Sequence, residues 1–281
     1  MKYHKYPACF YHGSGAWILE VLQNLLFELA GPDRLEILLA LKKRPLRLSH
    51  LSKKLDFTVQ ETSRNVSRLA EAHLVIKEAD GNFHLTPYGE ETVNLIDGFD
   101  VLSKHRDYFI SHTLSALPKE FSYSLAWLKG CQLVDDVMVL FSNVESMIKK
   151  AEEYIWILSD QVLVSTVPYI QEALKRGVEF KLVLPRMVVP PKDAMERMFS
   201  PIFLQAMKEG KFELRFLEKV DVQICISEKQ VAALCFMNTE GKIDYRGFRA
   251  EDELSFKWAK ALYSHYWNLA TRQENGTVFS R

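Results

Sequence analysis

Residues 33–85 carry the pattern that most narrows the fold of this chain. Three short helical patterns follow one another, and each begins with a polar residue able to cap it: Asp33, Ser49 and Thr58. Thr58 also opens a Thr-Val-Gln-Glu box that ends at Glu61, which is typical of a helix N-terminus. Two short apolar runs around Asp80-Gly81 then predict a β-hairpin.

Three helices with a tight turn between the second and the third, followed by a hairpin, predict a winged helix-turn-helix. The third helix is expected from Thr58 to about Ala72, and a winged helix would use it to read DNA. Its predicted inward-facing residues are Val59, Val66, Leu69 and Ala70.

The motifs of this segment resemble those of archaeal winged-helix transcriptional regulators. They are Leu51-Ser52-Lys53-Lys54-Leu55, Arg64-Asn65-Val66-Ser67-Arg68-Leu69, His73-Leu74-Val75 and Leu85-Thr86-Pro87-Tyr88-Gly89. The chain departs from the family pattern once, because His73 stands where the family usually has glycine. That position requires a left-handed backbone, which His tolerates. The resemblance implies binding of double-stranded DNA.

Charge agrees with this expectation. The chain has a formal net charge of zero, yet residues 33–77 contain ten cations and five anions. A locally basic module suits a phosphate-binding surface, although solvated charge alone can produce it. The candidate DNA-binding residues lie on the second and third helices and on the wing: Lys53, Lys54, Thr58, Gln60, Ser63, Arg64, Ser67, Arg68, Lys77, Asn82 and His84. Among these we expect Gln60, Arg64 or Arg68 to contact bases, and Lys53, Lys54 and Thr58 to contact phosphate.

The predicted domains are a winged helix over residues 16–90, a helical linker over 91–130 and an α/β regulatory domain over 131–281. The linker either pairs two subunits of a homodimer or packs on its own domain. In the last domain, apolar runs alternate with helices, which favours a sheet with crossover helices. Strands are predicted at 137–140, 154–158, 178–184, 212–217, 222–227, 231–237 and 243–247, with helices at 144–153, 167–175 and 251–270.

The run Ala173-Leu174-Lys175-Arg176-Gly177-Val178 and the strand after it resemble a unit of phospholipase-D-like domains. With the aromatic residues from Trp258 to Trp267, they are similar to the C-terminal domain of methanogenesis-regulator-type archaeal transcription factors. The expected fold class is therefore α/β multidomain: a winged helix-turn-helix plus a phospholipase-D-like α/β domain with a mixed sheet.

An enzyme is the main alternative to a regulator. Phospholipase-D-like catalysis needs a His-x-Lys pair, and His265 is the only histidine from Cys131 onward. We therefore expect no catalytic residues, no metal and no cofactor, with a small-molecule effector as a possible partner. Ligands of open α/β sheets bind beyond the carboxyl ends of strands, which indicates Ser159, Asp160 and Arg186. A winged helix that contacts only protein is a third possibility.

The segment Ala16–Ala30 is apolar but contains Glu20 and Glu28, so no membrane span is expected. The four cysteines form no CxxC pair, which favours a reduced, cytoplasmic protein.

Overall fold

The computed structural model describes residues 15–188 and 200–272, with side chains from residue 19 onward. The chain divides into two compact units, with the division after Ile96. Within the described residues, no helix is both long and apolar enough to cross a bilayer.

The first unit is a winged helix-turn-helix, as predicted. Its elements are α1 (Gly15–Leu29), α2 (Pro32–Lys43), β1 (Leu46–Arg47), α3 (Leu48–Leu55), α4 (Val59–Glu71), β2 (Val75–Lys77), β3 (Asn82–Leu85) and α5 (Pro87–Lys104), which continues into the second unit. The three strands form an antiparallel sheet in the order β1-β3-β2. The helical spacing of Leu and Ile in α2, α3 and α4 places Ile37, Leu51 and Leu69 together in a fully buried core. The prediction that Val59 faces inward was wrong: it lies in the first turn of α4, and its side chain is 57% exposed.

The connection from α4 through the wing to α5 explains two of the sequence motifs. His73 has φ 59°, the left-handed conformation that the family pattern requires of this position. The Thr86 hydroxyl donates to the His73 carbonyl at 2.6 Å and accepts from the Gly89 amide at 2.9 Å, which holds the start of α5 against the end of α4. A Cβ at Gly89 would overlap the carbonyl oxygen of Leu74, so this position accepts only glycine without a backbone shift.

The second unit is an α/β domain with a mixed sheet, which confirms the predicted fold class. Its helices are α6 (Arg106–Ser111), α7 (Lys119–Tyr123), α8 (Val137–Lys150), α9 (Val167–Lys175), α10 (Pro201–Lys208) and α11 (Glu253–Leu269), with short 3₁₀ helices at Leu125–Leu128 and Val164–Thr166. Its strands are β4 (His112–Thr113), β5 (Gln132–Val134), β6 (Tyr154–Leu158), β7 (Glu179–Pro185), β8 (Phe212–Leu217), β9 (Val222–Ser227), β10 (Val231–Asn238), β11 (Gly247–Ala250) and β12 (Thr271–Arg272).

The strand order in this sheet is β12-β8-β7-β6-β9-β10-β11-β5, and β4 also pairs with β10. Strands β6, β7 and β8 are parallel, while the remaining pairs are antiparallel. The side chains of β6 and β7 alternate between a face that packs on α8, α9 and α10 and a face that packs on α11. Both faces are covered, so the central strand β9 is buried along its whole length.

Two predicted strands in this unit were wrong. Residues 137–140 form the first turn of α8, because the Asp136 carboxylate caps the helix by accepting from the Met138 and Val139 amides at 2.8 and 3.1 Å. Residues 243–247 contain Tyr245 with φ 60°, a conformation that a strand does not adopt. The strand there begins only at Gly247, and the chain before it forms a loop.

That loop is joined to α6 and β4 by a buried polar network. The His112 ring is fully buried and lies 3.1 Å from Asp244 through Nε2, and it stacks on Tyr108 with ring centroids 3.8 Å apart. The Tyr108 hydroxyl donates to the Arg246 carbonyl at 3.2 Å and accepts from the Phe236 amide at 3.0 Å. The residues that follow α5 along the chain are thereby fixed to the centre of the second unit.

Candidate nucleic-acid interface and ligand site

The exposed face of α4 carries a set of polar side chains that have no partner among the described residues. Gln60, Ser63, Arg64 and Ser67 recur at the i, i+3, i+4, i+7 spacing of one helix face, and all four are exposed. The opposite face of α4 is buried against α2 and α3. Within the described part of the chain, none of these four side chains forms a hydrogen bond or ion pair, so each remains available to base edges.

Thr58 caps the N-terminus of α4, and both its hydroxyl and its amide form hydrogen bonds with Glu61. Its hydroxyl accepts from the Glu61 amide at 3.2 Å, and it donates to Glu61 Oε2 at 2.7 Å. The Thr58 amide also donates to the Glu61 carboxylate, at 3.0 Å. These bonds lower the pKa of Glu61, so the carboxylate stays ionised at the positive end of the helix. The donors that a phosphate would need at Thr58 are therefore already held by Glu61.

Arg68 occupies a different environment from Arg64. Its guanidinium donates to Glu28 of α1 through two nitrogens, at 2.6 and 3.3 Å, and lies over the Phe27 ring at 5.4 Å. This ion pair raises the pKa of Arg68. Arg34 contacts the same carboxylate at 2.8 Å. Arg68 thus joins α4 to α1, whereas the Arg64 guanidinium forms no ion pair within the described residues.

Two of the three predicted wing residues, Asn82 and His84, lie against acidic residues of the wing itself. Asn82 donates from its amide side chain to Asp80 at 2.6 Å, and His84 Nε2 lies 2.9 Å from Glu78 Oε1. Lys77 is exposed and lies 5.6 Å from the centre of the Phe83 ring. Two acidic residues at the tip reduce the attraction of this hairpin for phosphate. Lys53 and Lys54, by contrast, lie exposed in the last turn of α3 and have no ion pair in the described residues.

The three residues predicted for a ligand site have different partners in the second unit. Ser159 is buried at the end of β6, and its amide donates to the Val183 carbonyl at 3.1 Å. Asp160, the next residue, accepts from the Tyr245 hydroxyl at 2.6 Å. Arg186 follows β7, where it contacts Glu218 and Thr271, at 2.7 and 2.6 Å. Of the three, Ser159 alone lines the apolar pocket at the end of β6.

That pocket lies between the sheet and helices α8, α9 and α10, at the carboxyl end of β6. Its lining is mainly apolar, with four buried polar or thiol side chains, and comprises Val144, Ile157, Ser159, Gln161, Val162, Leu163, Thr166, Val167, Ile170, Phe180, Leu182, Phe203, Gln223 and Cys225. Sequence reasoning missed Gln223, although one signal was present. The run Val-Gln-Ile-Cys-Ile-Ser in β9 contains a single amide in a strand that is buried on both faces.

The cysteines of the second unit are not suited to redox chemistry. Burial raises the pKa of Cys131 to about 11 and that of Cys225 to about 12, and it also raises the pKa of Cys235. The reactive thiolate is therefore scarce at neutral pH. In the described residues, no cluster of His, Cys, Asp or Glu has the arrangement of a metal site.

Part of the second unit matches a known protein family. Residues 139–269 match the family described as "Methanogenesis regulatory protein FilR1, middle domain". This match confirms the resemblance of the C-terminal domain to methanogenesis-regulator-type proteins. Among curated proteins, none matches the chain significantly.

Several solved structures are similar at low identity. TrmBL2, an archaeal chromatin protein, is 16% identical, with 92% of this chain and all of that chain covered and a TM-score of 0.39. Nuc, a phospholipase D family member from Salmonella typhimurium, is 15% identical, with 52% and 98% covered and a TM-score of 0.36. A dimethyltransferase from Streptomyces davawensis is 13% identical, with 73% and 67% covered and a TM-score of 0.28.

Proposed function

We propose that this chain, whose residues 139–269 match the middle domain of methanogenesis regulatory proteins, is a transcriptional regulator that binds specific sequences in double-stranded DNA. The observation that supports this proposal best is the α4 face of Gln60, Ser63, Arg64 and Ser67. A helix-turn-helix places this face of its second helix in the major groove, where Arg pairs with guanine and Gln with adenine.

Phosphate contacts would come mainly from Lys53 and Lys54, because both are exposed and have no acidic partner in the described residues. Arg68 and the wing residues Asn82 and His84 contribute less in this proposal, since each lies against an acidic neighbour. Lys77 is the wing residue left to approach the DNA backbone. Thr58 sets the start of α4 and so positions the base-reading face.

A homodimer is part of the proposal. Leu95, Phe99 and Leu102 form one stripe along α5 at the i, i+4, i+7 spacing, with exposed fractions of 71, 65 and 37%. Such an apolar stripe is costly in water and is suited to pairing with the same helix of a second copy. Two copies would present two α4 helices to the two halves of a palindromic site.

The second unit is proposed to sense a signal rather than to catalyse a reaction, in a cytoplasmic protein. The sequence from Cys131 onward has no His-x-Lys pair, and its one histidine, His265, lies on α11 against Phe121 and Tyr266. The phosphodiesterase alternative predicts turnover of a model phosphodiester. Multiple turnovers that disappear when His265 is replaced by Ala would establish the enzyme instead.

The proposal is tested by fluorescence anisotropy on DNA from upstream of the protein's own gene, with a scrambled duplex of equal length. We expect Arg64→Ala to weaken binding to the upstream DNA by about 1–3 kcal/mol and to remove most of the preference over the scrambled duplex. Arg106→Ala is the matched control, because Arg106 is exposed and lies outside α4. Equal, weak binding of wild type and both variants to both duplexes would contradict the proposal.

A further inference from the structure

The pocket of the second unit contains an unpaired polar atom. Gln223 is 4% exposed, and its Oε1 has no hydrogen-bond partner in the described residues. The other end of the amide, Nε2, faces the Cys225 sulfur at 3.8 Å. Buried polar groups without a partner are rare in folded proteins, and each one calls for an explanation.

The rest of the pocket determines what kind of molecule could satisfy this atom. Apolar side chains from helices and strands alike surround it, including Val144, Ile157, Ile170 and Phe203. Among the described lining residues none is charged, so an ionised ligand would be buried without a counter-charge. A neutral ligand with an O–H or N–H group directed at Gln223 meets both requirements.

We propose that this pocket binds a small uncharged molecule that has an apolar body, of the size of a single ring, and one O–H or N–H group that donates to Gln223 Oε1. The inference rests on the proposed function, since it assigns a site and a chemical class to the signal. It also replaces the predicted group of Ser159, Asp160 and Arg186, of which Ser159 alone lines the pocket.

The size of the cavity adds a condition. In the described conformation its volume is about 40 Å³, which suits a water molecule or two, whereas a cavity for a benzene ring is on the order of 150 Å³. The segment 161–166 forms one wall, so a ring-sized ligand requires this segment to move outward.

The Asp160–Tyr245 hydrogen bond holds that segment in place. Burial and the contact with Asp160 raise the pKa of Tyr245, so its hydroxyl keeps its proton and donates at 2.6 Å. Tyr245 is one of the few residues other than glycine with a left-handed backbone, at φ 60°, a conformation that costs energy and persists only where its surroundings enforce it. Ligand entry and this hydrogen bond therefore compete.

The loop around Tyr245 also contacts α6 and β4. Asp244 precedes Tyr245 and pairs with the buried His112 at 3.1 Å, while Arg246 follows it and accepts from Tyr108 at its carbonyl. When Tyr245 loses its hydrogen bond to Asp160, the loop that contains Asp244 and Arg246 changes conformation. A ligand that favours the open loop would therefore shift the packing of α6 and β4.

The test measures binding of benzene, phenol and benzoate to the full chain by calorimetry and by NMR titration. We expect phenol to bind saturably, benzene to bind roughly 3- to 10-fold more weakly for lack of one hydrogen bond, and benzoate not to bind. In Gln223→Leu the ratio of the phenol affinity to the benzene affinity should fall to about one. Gln205→Leu is the matched control, because Gln205 is an exposed glutamine on α10, outside the pocket.

Two further variants locate the site. Tyr245→Phe removes the competing hydrogen bond and should tighten phenol binding several-fold, whereas Ile170→Phe fills the pocket and should abolish it. Circular dichroism and cooperative unfolding verify that each variant is folded. Phenol binding that survives Ile170→Phe, or that is unchanged in Gln223→Leu, would overturn the proposal, as would the absence of phenol binding to both wild type and Tyr245→Phe.

DNA binding measured on the same preparations separates this inference from the proposed function. If wild type binds its upstream DNA but neither wild type nor Tyr245→Phe binds phenol, the pocket proposal alone fails. If it binds phenol as expected but shows no preference for any duplex, the DNA-binding proposal fails and the pocket remains.

Discussion

Arg68 and Glu28 form a two-point ion pair that joins α4 to α1, with nitrogen–oxygen distances of 2.6 and 3.3 Å. Arg64, one turn earlier on the same helix, has no such partner in the described residues. The two arginines of the predicted recognition helix are therefore expected to differ in role, although the sequence pattern treats them alike.

Replacement of Arg68 by Ala is expected to lower the melting temperature by a few degrees and to leave the ranking of DNA sequences unchanged, because its guanidinium is already engaged. Glu28→Gln, which weakens this pair and also the contact of the same carboxylate with Arg34, should show a thermal effect at least as large. The measurements are thermal unfolding and anisotropy on matched and scrambled duplexes. If Arg68→Ala loses sequence preference and Glu28→Gln does not, Arg68 reads bases directly.

Replacement of Gly89 by Ala should destabilise the first unit by about 1–3 kcal/mol, because the new Cβ overlaps the Leu74 carbonyl and must displace it. Gly98→Ala is the control within the same helix, since the nearest atom to its Cβ would lie 3.9 Å away. That change should be neutral or should stabilise α5 by up to about 1 kcal/mol. Urea unfolding gives both values, and equal effects would refute the role assigned to Gly89.

Replacement of Lys53 by Ala should weaken binding to all duplexes to a similar extent, because an interaction with phosphate carries no sequence information. The slope of log K against log salt should become less steep by about 0.9 for each phosphate that the variant no longer neutralises. Lys208→Ala, on α10 of the second unit, serves as the control. A change in sequence preference with an unaltered salt slope would place Lys53 at the bases instead.

Asp244 gives the second unit a defined response to acid. Burial acts to raise the pKa of this carboxyl, but hydrogen bonds from His112 and Arg246 outweigh it and hold the pKa below the ordinary value of 3.8. A carboxyl with a lowered pKa contributes its stability above the unfolded-state pKa and loses it as the pH falls through the folded-state value.

Asp244→Asn should therefore be less stable than wild type at pH 7, by about 1–3 kcal/mol, and the difference should shrink below about pH 4. Urea unfolding at pH 7, 5, 4 and 3 measures it. Asp107→Asn, at an exposed carboxyl on α6, should show no such dependence. A difference that stays constant across this range would show that the charge of Asp244 is not the source of its effect.

Sequence patterns predicted the elements whose signals are local. Thr58 and Glu61 form the capping box as predicted, Asp80-Gly81 lies in the wing turn, and residues 212–217 form β8 as predicted. In each case a few neighbouring residues determine the backbone. The pattern was less informative at 137–140, where four apolar residues favoured a strand but the cap at Asp136 started a helix.

The candidate sites depend on contacts that no local pattern contains. The engagement of Arg68 requires Glu28, which lies 40 residues earlier in the chain. The hydrogen bond between Asp160 and Tyr245 joins residues 85 positions apart. It accompanies the left-handed backbone of Tyr245, which explains why 243–247 could not be a strand. The pocket around Gln223 likewise exists only once β6, β7, β9 and three helices have assembled.

The pairing of His112 with Asp244 spans 132 residues of sequence, and that of Tyr108 with Arg246 spans 138. On the ribosome, α6 and β4 therefore emerge long before their partners on β10 and the loop after it. The winged helix, whose core contacts are local, can fold while the rest of the chain is still being translated. Until synthesis passes Arg246, Tyr108 and His112 remain without their long-range partners, and the core of the nascent second domain stays incomplete.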